Sequence, residues 1–196
     1  MGVAYDYLNG KLIWTDAVLG RSIIEKASIT GHGKVENREL LLQTGLELPE
    51  DLAIHEASSL VYFTDSNKGH IAVCSALTAA CTVLSHEHNK PRGLAVHQKD
   101  NQLFVTEWGS SPSIVKMNLD GSRRETIIAT DIVWPNGIAV DETTERIFWT
   151  DRSLMRIESA TTYGGDRRIV VEDKIQPFGI AVFEDRRCWS DWGDYR

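Results

Sequence analysis

Five acidic residues recur along the chain at almost even spacing. Asp16, Asp65, Glu107, Asp151 and Asp191 each close a four-residue motif: IWTD at 13–16, YFTD at 62–65, FVTE at 104–107, FWTD at 148–151 and CWSD at 188–191. Carboxylates in register could hold calcium, which takes six to eight oxygen ligands, or serve as acids and bases in a reaction. A short carboxylate at a strand end can instead accept backbone N–H groups from the next turn. A buried N–H left unpaired costs about 1–3 kcal/mol. The aromatic residues ahead of each acid would fill the wedge between neighbouring sheets. That favours the architectural role for all five acids.

A second set keeps the same register. Glu50, Arg92, Asn136 and Phe178 each directly follow a proline, in PEDLAIH (49–55), PRGLAVH (91–97), PNGIAVD (135–141) and PFGIAVF (177–183). Equivalent positions of successive repeats would converge on one mouth of a central channel. Trp108, Trp134 and Trp192 fall near the same face by motif. Exposed Trp and Arg are enriched at binding hot spots, so these seven residues are the candidate ligand-binding surface. The alternative is that the Pro-x-Gly elements are turns and the Trp residues pack between sheets.

Cys74 and Cys81 lie seven positions apart, a span that fits two facing strands and a disulfide, whereas Cys188 is expected as a buried free thiol. His55 and His97 occupy matching positions in adjacent repeats. Unperturbed histidine titrates near endosomal pH, which raises the question of a pH switch. His32, His70, His86 and His88 fall in turns or near strand ends and read as solvated. No Ser-His-Asp or Cys-His order stands out, and no glycine-rich phosphate loop is present. No catalysis, cofactor or metal is expected.

The elements that must position these residues are strands. The motif starts are separated by 49, 42, 44 and 40 residues, the period of four-stranded propeller blades. In each unit a short Val/Ile-rich run is followed by a polar turn, then by an aromatic strand ending in Thr/Ser-Asp/Glu. Two further strands follow, joined by turns such as Leu119-Asp120-Gly121 and Tyr163-Gly164-Gly165. The expected units are blade 1 at about 2–46, blade 2 at 47–88, blade 3 at 89–131, blade 4 at 132–173 and a partial blade 5 at 174–196. The chain has 196 residues, a net charge of -7 and a pI near 5.4. Such a balance argues against nucleic acid, which needs a basic face, and against docking on anionic lipid. No apolar run reaches the length of a membrane span, so no direct membrane insertion is expected. The first residues do not form a signal peptide.

These motifs resemble the class B (YWTD) repeat of the low-density lipoprotein receptor family. KPRGLAVH leading to FVTEWGS is similar to the third repeat of that family, VWPNGIAVDETTERIFWTD to the fourth, and PFGIAVFEDRRCWSDW to the fifth. LPEDLAI with YFTD, HIAVC and CTVLS looks most like the invertebrate vitellogenin or lipophorin receptors. The resemblance implies an all-β, six-bladed YWTD β-propeller, here incomplete with about four and a half blades. It implies the extracellular face of a type I membrane receptor that takes up lipoprotein or yolk protein, beside EGF-like and cysteine-rich modules. Its partner would be a protein ligand: a lipoprotein, a vitellogenin-like protein or a secreted signalling protein. In the family, the Asn of WPNG is among the ligand contacts. A signalling or matrix propeller of the Wnt co-receptor or nidogen kind shares the repeat. Six-bladed hydrolases of the gluconolactonase kind carry similar blade starts, but they hold calcium with Glu, Asn and Asp oxygens. Arg92 and Phe178 in that ring leave too few. Three departures stand out. His55 and His97 replace the aspartate of AVD, Cys188 replaces the tyrosine of YWSD, and Met155 and Gln176 stand where acid-sensing members place histidine.

Overall fold

The second strand of each sheet carries one of the five motifs, and from the third sheet onward the strand before it carries a Pro-x-Gly segment. The computed structural model describes residues 2–18, 21–172 and 175–193. The first sheet is β1 (Val3–Asp6), β2 (Lys11–Val18), β3 (Arg21–Ile29) and β4 (Val35–Leu42). The second is β5 (Pro49–His55), β6 (Leu60–Asp65), β7 (His70–Ser75) and β8 (Cys81–Ser85). The third is β9 (Pro91–His97), β10 (Gln102–Glu107), β11 (Ser113–Asn118) and β12 (Glu125–Ile128). The fourth is β13 (Pro135–Asp141), β14 (Arg146–Asp151), β15 (Arg156–Thr161) and β16 (Arg168–Glu172). A two-stranded sheet follows, β17 (Pro177–Phe183) and β18 (Arg186–Asp191). Strands lie in chain order within each sheet, and the pairings are antiparallel. The chain divides into two compact units, Met1–Pro91 and Arg92–Arg196.

Local sequence explains the turns. The last residue before each motif strand in the four-stranded sheets has a left-handed backbone: Gly10, Ser59, Asn101 and Glu145, with φ between 52° and 62°. Only the first is glycine, so the side chain ahead of the turn must hold the others. Asn9 N–H donates to Asp6 at 3.0 Å, Asp100 N–H to Nδ1 of His97 at 3.0 Å, and Thr144 N–H to Asp141 at 3.2 Å. His55 Nδ1 lies 2.7 Å from Ser58 Oγ. Imidazole thus takes over the acceptor role of aspartate. Because Nδ1 of His97 accepts, the proton of its neutral ring sits on Nε2, which donates to Glu145 at 3.0 Å. The third and fourth sheets are tied at this corner.

The core of each unit is built from inward-facing residues of the first three strands of its sheets. In the first unit Ile13, Ile24, Leu52, Val61, Phe63 and Cys74 pack together. In the second, Phe104, Ile114, Ile138, Ile147, Trp149 and Ala160 do. Trp14 faces Glu25 and Trp149 faces Glu158 across their strand pairs. Each of these glutamates is buried and bound by an arginine, Arg38 or Arg167, whose guanidinium lies 5.2 Å from the Trp ring. A buried acid survives here because a cation and an aromatic face complete its surroundings.

Cys74 and Cys81 face each other across β7 and β8 and form a disulfide with Cα atoms 4.1 Å apart. Cys188, expected to be buried, is exposed. Its counterparts Tyr62, Phe104 and Phe148 are covered inside four-stranded sheets. Cys188 lies on β18, and among the described residues no third strand flanks it.

Candidate functional site

The Pro-x-Gly segments do not simply run along their sheets. Pro135 faces Asp151, but the next aligned pair is Ile138 with Trp149. Pro177 faces Asp191, and then Ile180 faces Trp189. The two residues in between bulge away from the ladder, which frees their backbone groups. The motif threonine collects those groups. Thr106 Oγ1 accepts the N–H of Gly93 at 2.8 Å and donates to the carbonyl of Asn136 in the next sheet at 2.6 Å. Thr150 accepts from Gly137 at 3.0 Å and donates to the carbonyl of Phe178 at 2.7 Å. In the first unit Thr15 accepts from Gly2 at 2.7 Å and donates to the Glu50 carbonyl at 3.3 Å. In these three repeats one hydroxyl fixes where the residue after proline in the next sheet stands. Sequence reasoning passed over these threonines, although they sit beside every acid but the last, where Ser190 replaces them.

The acids work within their own sheet rather than on a neighbour. Asp65 accepts from the N–H groups of Glu47, Leu48 and Lys68 at 2.8–3.2 Å. Asp151 accepts from Val133, Trp134, Ser153 and Leu154 at 2.8–3.2 Å. Asp191 accepts from Gln176 and Gly193 at 2.9 and 2.8 Å. Each carboxylate clamps the segment entering its sheet to the turn that follows the motif. Glu107 differs. Its longer side chain meets Ser113 Oγ at 3.2 Å and Arg124 at 2.9 Å. Asp16 is half-buried on β2, whose hairpin extends beyond it to Val18.

The clamp and the threonine bridge together build one face of the second unit. The residue after each acid donates its N–H to the residue before the proline: Arg152 to Trp134 at 3.1 Å, Trp192 to Gln176 at 3.0 Å. Trp108 stacks on Trp134 with centroids 5.7 Å apart and planes inclined by 11°. Phe178 stacks on Trp192 at 4.5 Å and 9°. Two guanidinium groups join the stacks. Arg92 lies 4.3 Å from the Trp108 centroid and 5.6 Å from that of Phe178. Arg152 lies 5.3 Å from Trp134 and 5.4 Å from Trp192. The result is a closed circuit, Arg92–Trp108–Trp134–Arg152–Trp192–Phe178. Asn136 is fully buried in it, accepting from Arg92 at 2.7 Å and donating to the Pro177 carbonyl at 3.3 Å.

Six of the seven expected binding residues thus meet in one array. Glu50 belongs to the other unit, half-buried at the start of β5. Arg152 was missed. Its signal was present, since it holds the position after the acid that Trp108 and Trp192 hold in their repeats. A pocket of about 440 Å³ opens beside it, lined by Arg152, Gln176, Asp191 and Trp192.

The histidines divide differently from expectation. His32 and His86 are exposed, but His70 and His88 are buried. His88 is drawn in because its N–H donates to Gly69 O at 2.9 Å and its ring reaches Ser85 Oγ at 3.0 Å. His70 opens β7 opposite Asp65, with the His86 ring 6.0 Å away. Burial lowers the pKa of His70, and Lys68 and His86 push the same way against Asp65 and Glu47. A histidine whose folded pKa is depressed stays neutral in the folded protein while the unfolded chain takes up protons near its ordinary value of about 6.5. The stability it confers is present above that pH and is lost as pH falls below it toward the folded value. Chemical denaturation between pH 7.5 and 5 should show a loss of stability that is smaller in His70→Gln. Parallel curves for the two proteins would show that His70 does not contribute to this window.

The profile of the low-density lipoprotein receptor repeat class B matches residues 101–142 and 145–184. The vitellogenin receptor Yl of Drosophila melanogaster is 40% identical over 194 residues, which is 98% of this chain and 10% of that protein. The vitellogenin receptor of Solenopsis invicta is 34% identical over 164 residues, 83% of this chain and 9% of that protein. The chain thus spans about a tenth of the length of these curated relatives. Among solved structures, that of the nidogen/laminin complex matches with a TM-score of 0.88 and 24% identity, over 98% of this chain and 72% of that one. The likeness shows the fold, a YWTD β-propeller. Among the described residues no helix is long and apolar enough to cross a membrane.

Proposed function

We propose, from a chain that belongs to the low-density lipoprotein receptor class B repeat family, that it is the extracellular ligand-binding propeller of an endocytic receptor for lipoprotein or yolk protein. The observation that carries this reading is the closed circuit of two arginines and four aromatic rings around Asn136. Trp and Arg together at a partly open face are the residues that dominate protein–protein binding. Trp192 at the edge of the array is 52% exposed, so the stack offers a ring face as well as an edge. The two vitellogenin receptors among the relatives supply the kind of cargo.

Binding rather than catalysis is also the better reading of Asn136. Its side-chain oxygen is held by the Arg92 guanidinium at 2.7 Å. A cation there competes directly with any metal ion, and Phe178 brings no oxygen ligand. In surface plasmon resonance with purified vitellogenin, Asn136→Ala should weaken binding by about 1–3 kcal/mol, the size of a hot-spot loss. Unchanged affinity in a folded variant would reduce Asn136 to a turn residue, and unchanged affinity in Trp192→Ala as well would remove the array as the ligand face.

A further inference from the structure

Arg152 has no carboxylate partner among the described residues, where most arginines of its unit have one. In the same unit Arg124 pairs with Glu107, Arg146 and Arg168 with Asp166, Arg156 with Asp131, Arg167 with Glu158 and Arg187 with Asp141. Arg152 forms no ion pair among the described residues, in a chain that carries 28 acidic side chains. Two indole rings flank its guanidinium instead. Aromatic neighbours hold the planar cation by its faces and leave its N–H edges available. Arg152 lines the pocket of about 440 Å³ together with Gln176, Asp191 and Trp192. Asp191, the acid lining that pocket, forms no ion pair with Arg152, and its Oδ1 instead accepts from the N–H groups of Gln176 and Gly193.

We propose that Arg152 is the specificity-determining residue of the face, and that it selects a peptide segment bearing an Asp or Glu side chain flanked by apolar residues. The inference rests on the reading of this face as the ligand site. A carboxylate would meet the free edge of the guanidinium in a two-pronged, charge-assisted pair. The apolar neighbours of the acid would lie on Trp134 and Trp192. A neutral peptide would leave the cation shielded from water on both faces and still unpaired, and that penalty is the source of selectivity.

The test uses peptides selected from a random phage-displayed dodecamer library on the purified chain, keeping those whose binding Trp134→Ala abolishes. Each should contain an Asp or Glu. Changing that residue to Asn or Gln should weaken binding to the unaltered protein by about tenfold or more, equivalent to about 1.4 kcal/mol. The same peptide change should have no further effect on Arg152→Gln, and Arg152→Lys should retain part of the preference. Near-ultraviolet circular dichroism confirms that the variants keep their aromatic packing. Trp134-dependent peptides without an acid, or an acid whose loss matters equally in Arg152→Gln, would overturn the role of Arg152 and leave the face as a ligand site. Recovery of no Trp134-dependent peptide would overturn both. The peptide arm on the unaltered protein decides the matter even if an Arg152 variant is unstable.

Discussion

Replacing Asp151 by Asn should destabilise the protein about as much as replacing it by Ala, by about 3–5 kcal/mol, although Asn preserves shape and polarity. Both oxygens of Asp151 are used, and the residue is fully buried. Oδ2 accepts from Val133 at 2.8 Å and Trp134 at 3.1 Å, while Oδ1 accepts from Ser153 and Leu154 at 3.0 Å. An amide would place an NH₂ against two N–H donors on one side, and Ala would leave four donors unmatched. Each buried donor without a partner costs about 1–3 kcal/mol, and partial relaxation brings the total below the sum. The loss is a large part of the 5–15 kcal/mol of a typical domain. Urea denaturation measures it. Asp191→Asn, at a half-buried site with two backbone donors among the described residues rather than four, should cost much less. An Asp151→Asn protein within about 0.5 kcal/mol of the parent, the range of ordinary surface changes, would mean that the clamp is dispensable.

Gly93→Ala should be among the most damaging glycine substitutions in the second unit, and Gly179→Ala among the mildest. A Cβ on Gly93 would collide with the carbonyl oxygen of Asn136, and would also lie 3.0 Å from Thr106 Oγ1 and 3.1 Å from Gly137 Cα. These are the atoms that the threonine bridge draws together, so they cannot retreat without breaking it. Gly137 meets the same arrangement one repeat later, with Phe178 O at 2.7 Å from its hypothetical Cβ. Gly179 would meet only Ser190 Oγ, at 3.4 Å. Overpacking costs typically about 1–3 kcal/mol and more where backbone must shift. Gly93→Ala should lie at or above the top of that range and should also weaken ligand binding, because Asn136 would move. Equal melting temperatures for Gly93→Ala and Gly179→Ala would show that the first strands of neighbouring sheets are free to separate.

Both variants probe features that the sequence announces unevenly. The repeat register made the motif acids and the post-proline residues visible, because a carboxylate or a proline at a fixed spacing is rare enough to notice. The threonines between them are common strand residues, and their bridging role depends on a bulge that no local pattern reveals. Glu107 counted as one more acid of the set, and its pairing with Arg124, seventeen residues on, was not foreseen. Cys188 was read from its motif position alone, and burial is decided by what packs around a strand. His70 and His88 looked like turn residues. Their burial comes from the close approach of residue 88 to Gly69, a contact between segments far apart in the repeat. Arg152 was hidden for the opposite reason: the Trp residues at the same register drew attention to residue type and away from position.

The bridge between sheets touches only the main chain of the residue after proline. Glu50, Asn136 and Phe178 present an acid, an amide and an aromatic ring on the same backbone geometry, with the same carbonyl accepting from the threonine of the preceding repeat. The bridge itself therefore places no demand on side-chain identity at these positions, although the buried Asn136 side chain adds contacts of its own to Arg92 and the Pro177 carbonyl. Where the side chain is not so engaged, one recognition group can be exchanged for another without loss of the bridge. The same property makes these positions natural sites for a combinatorial library, in which ligand preference is varied while the threonines, motif acids and Gly93 and Gly137 are held constant.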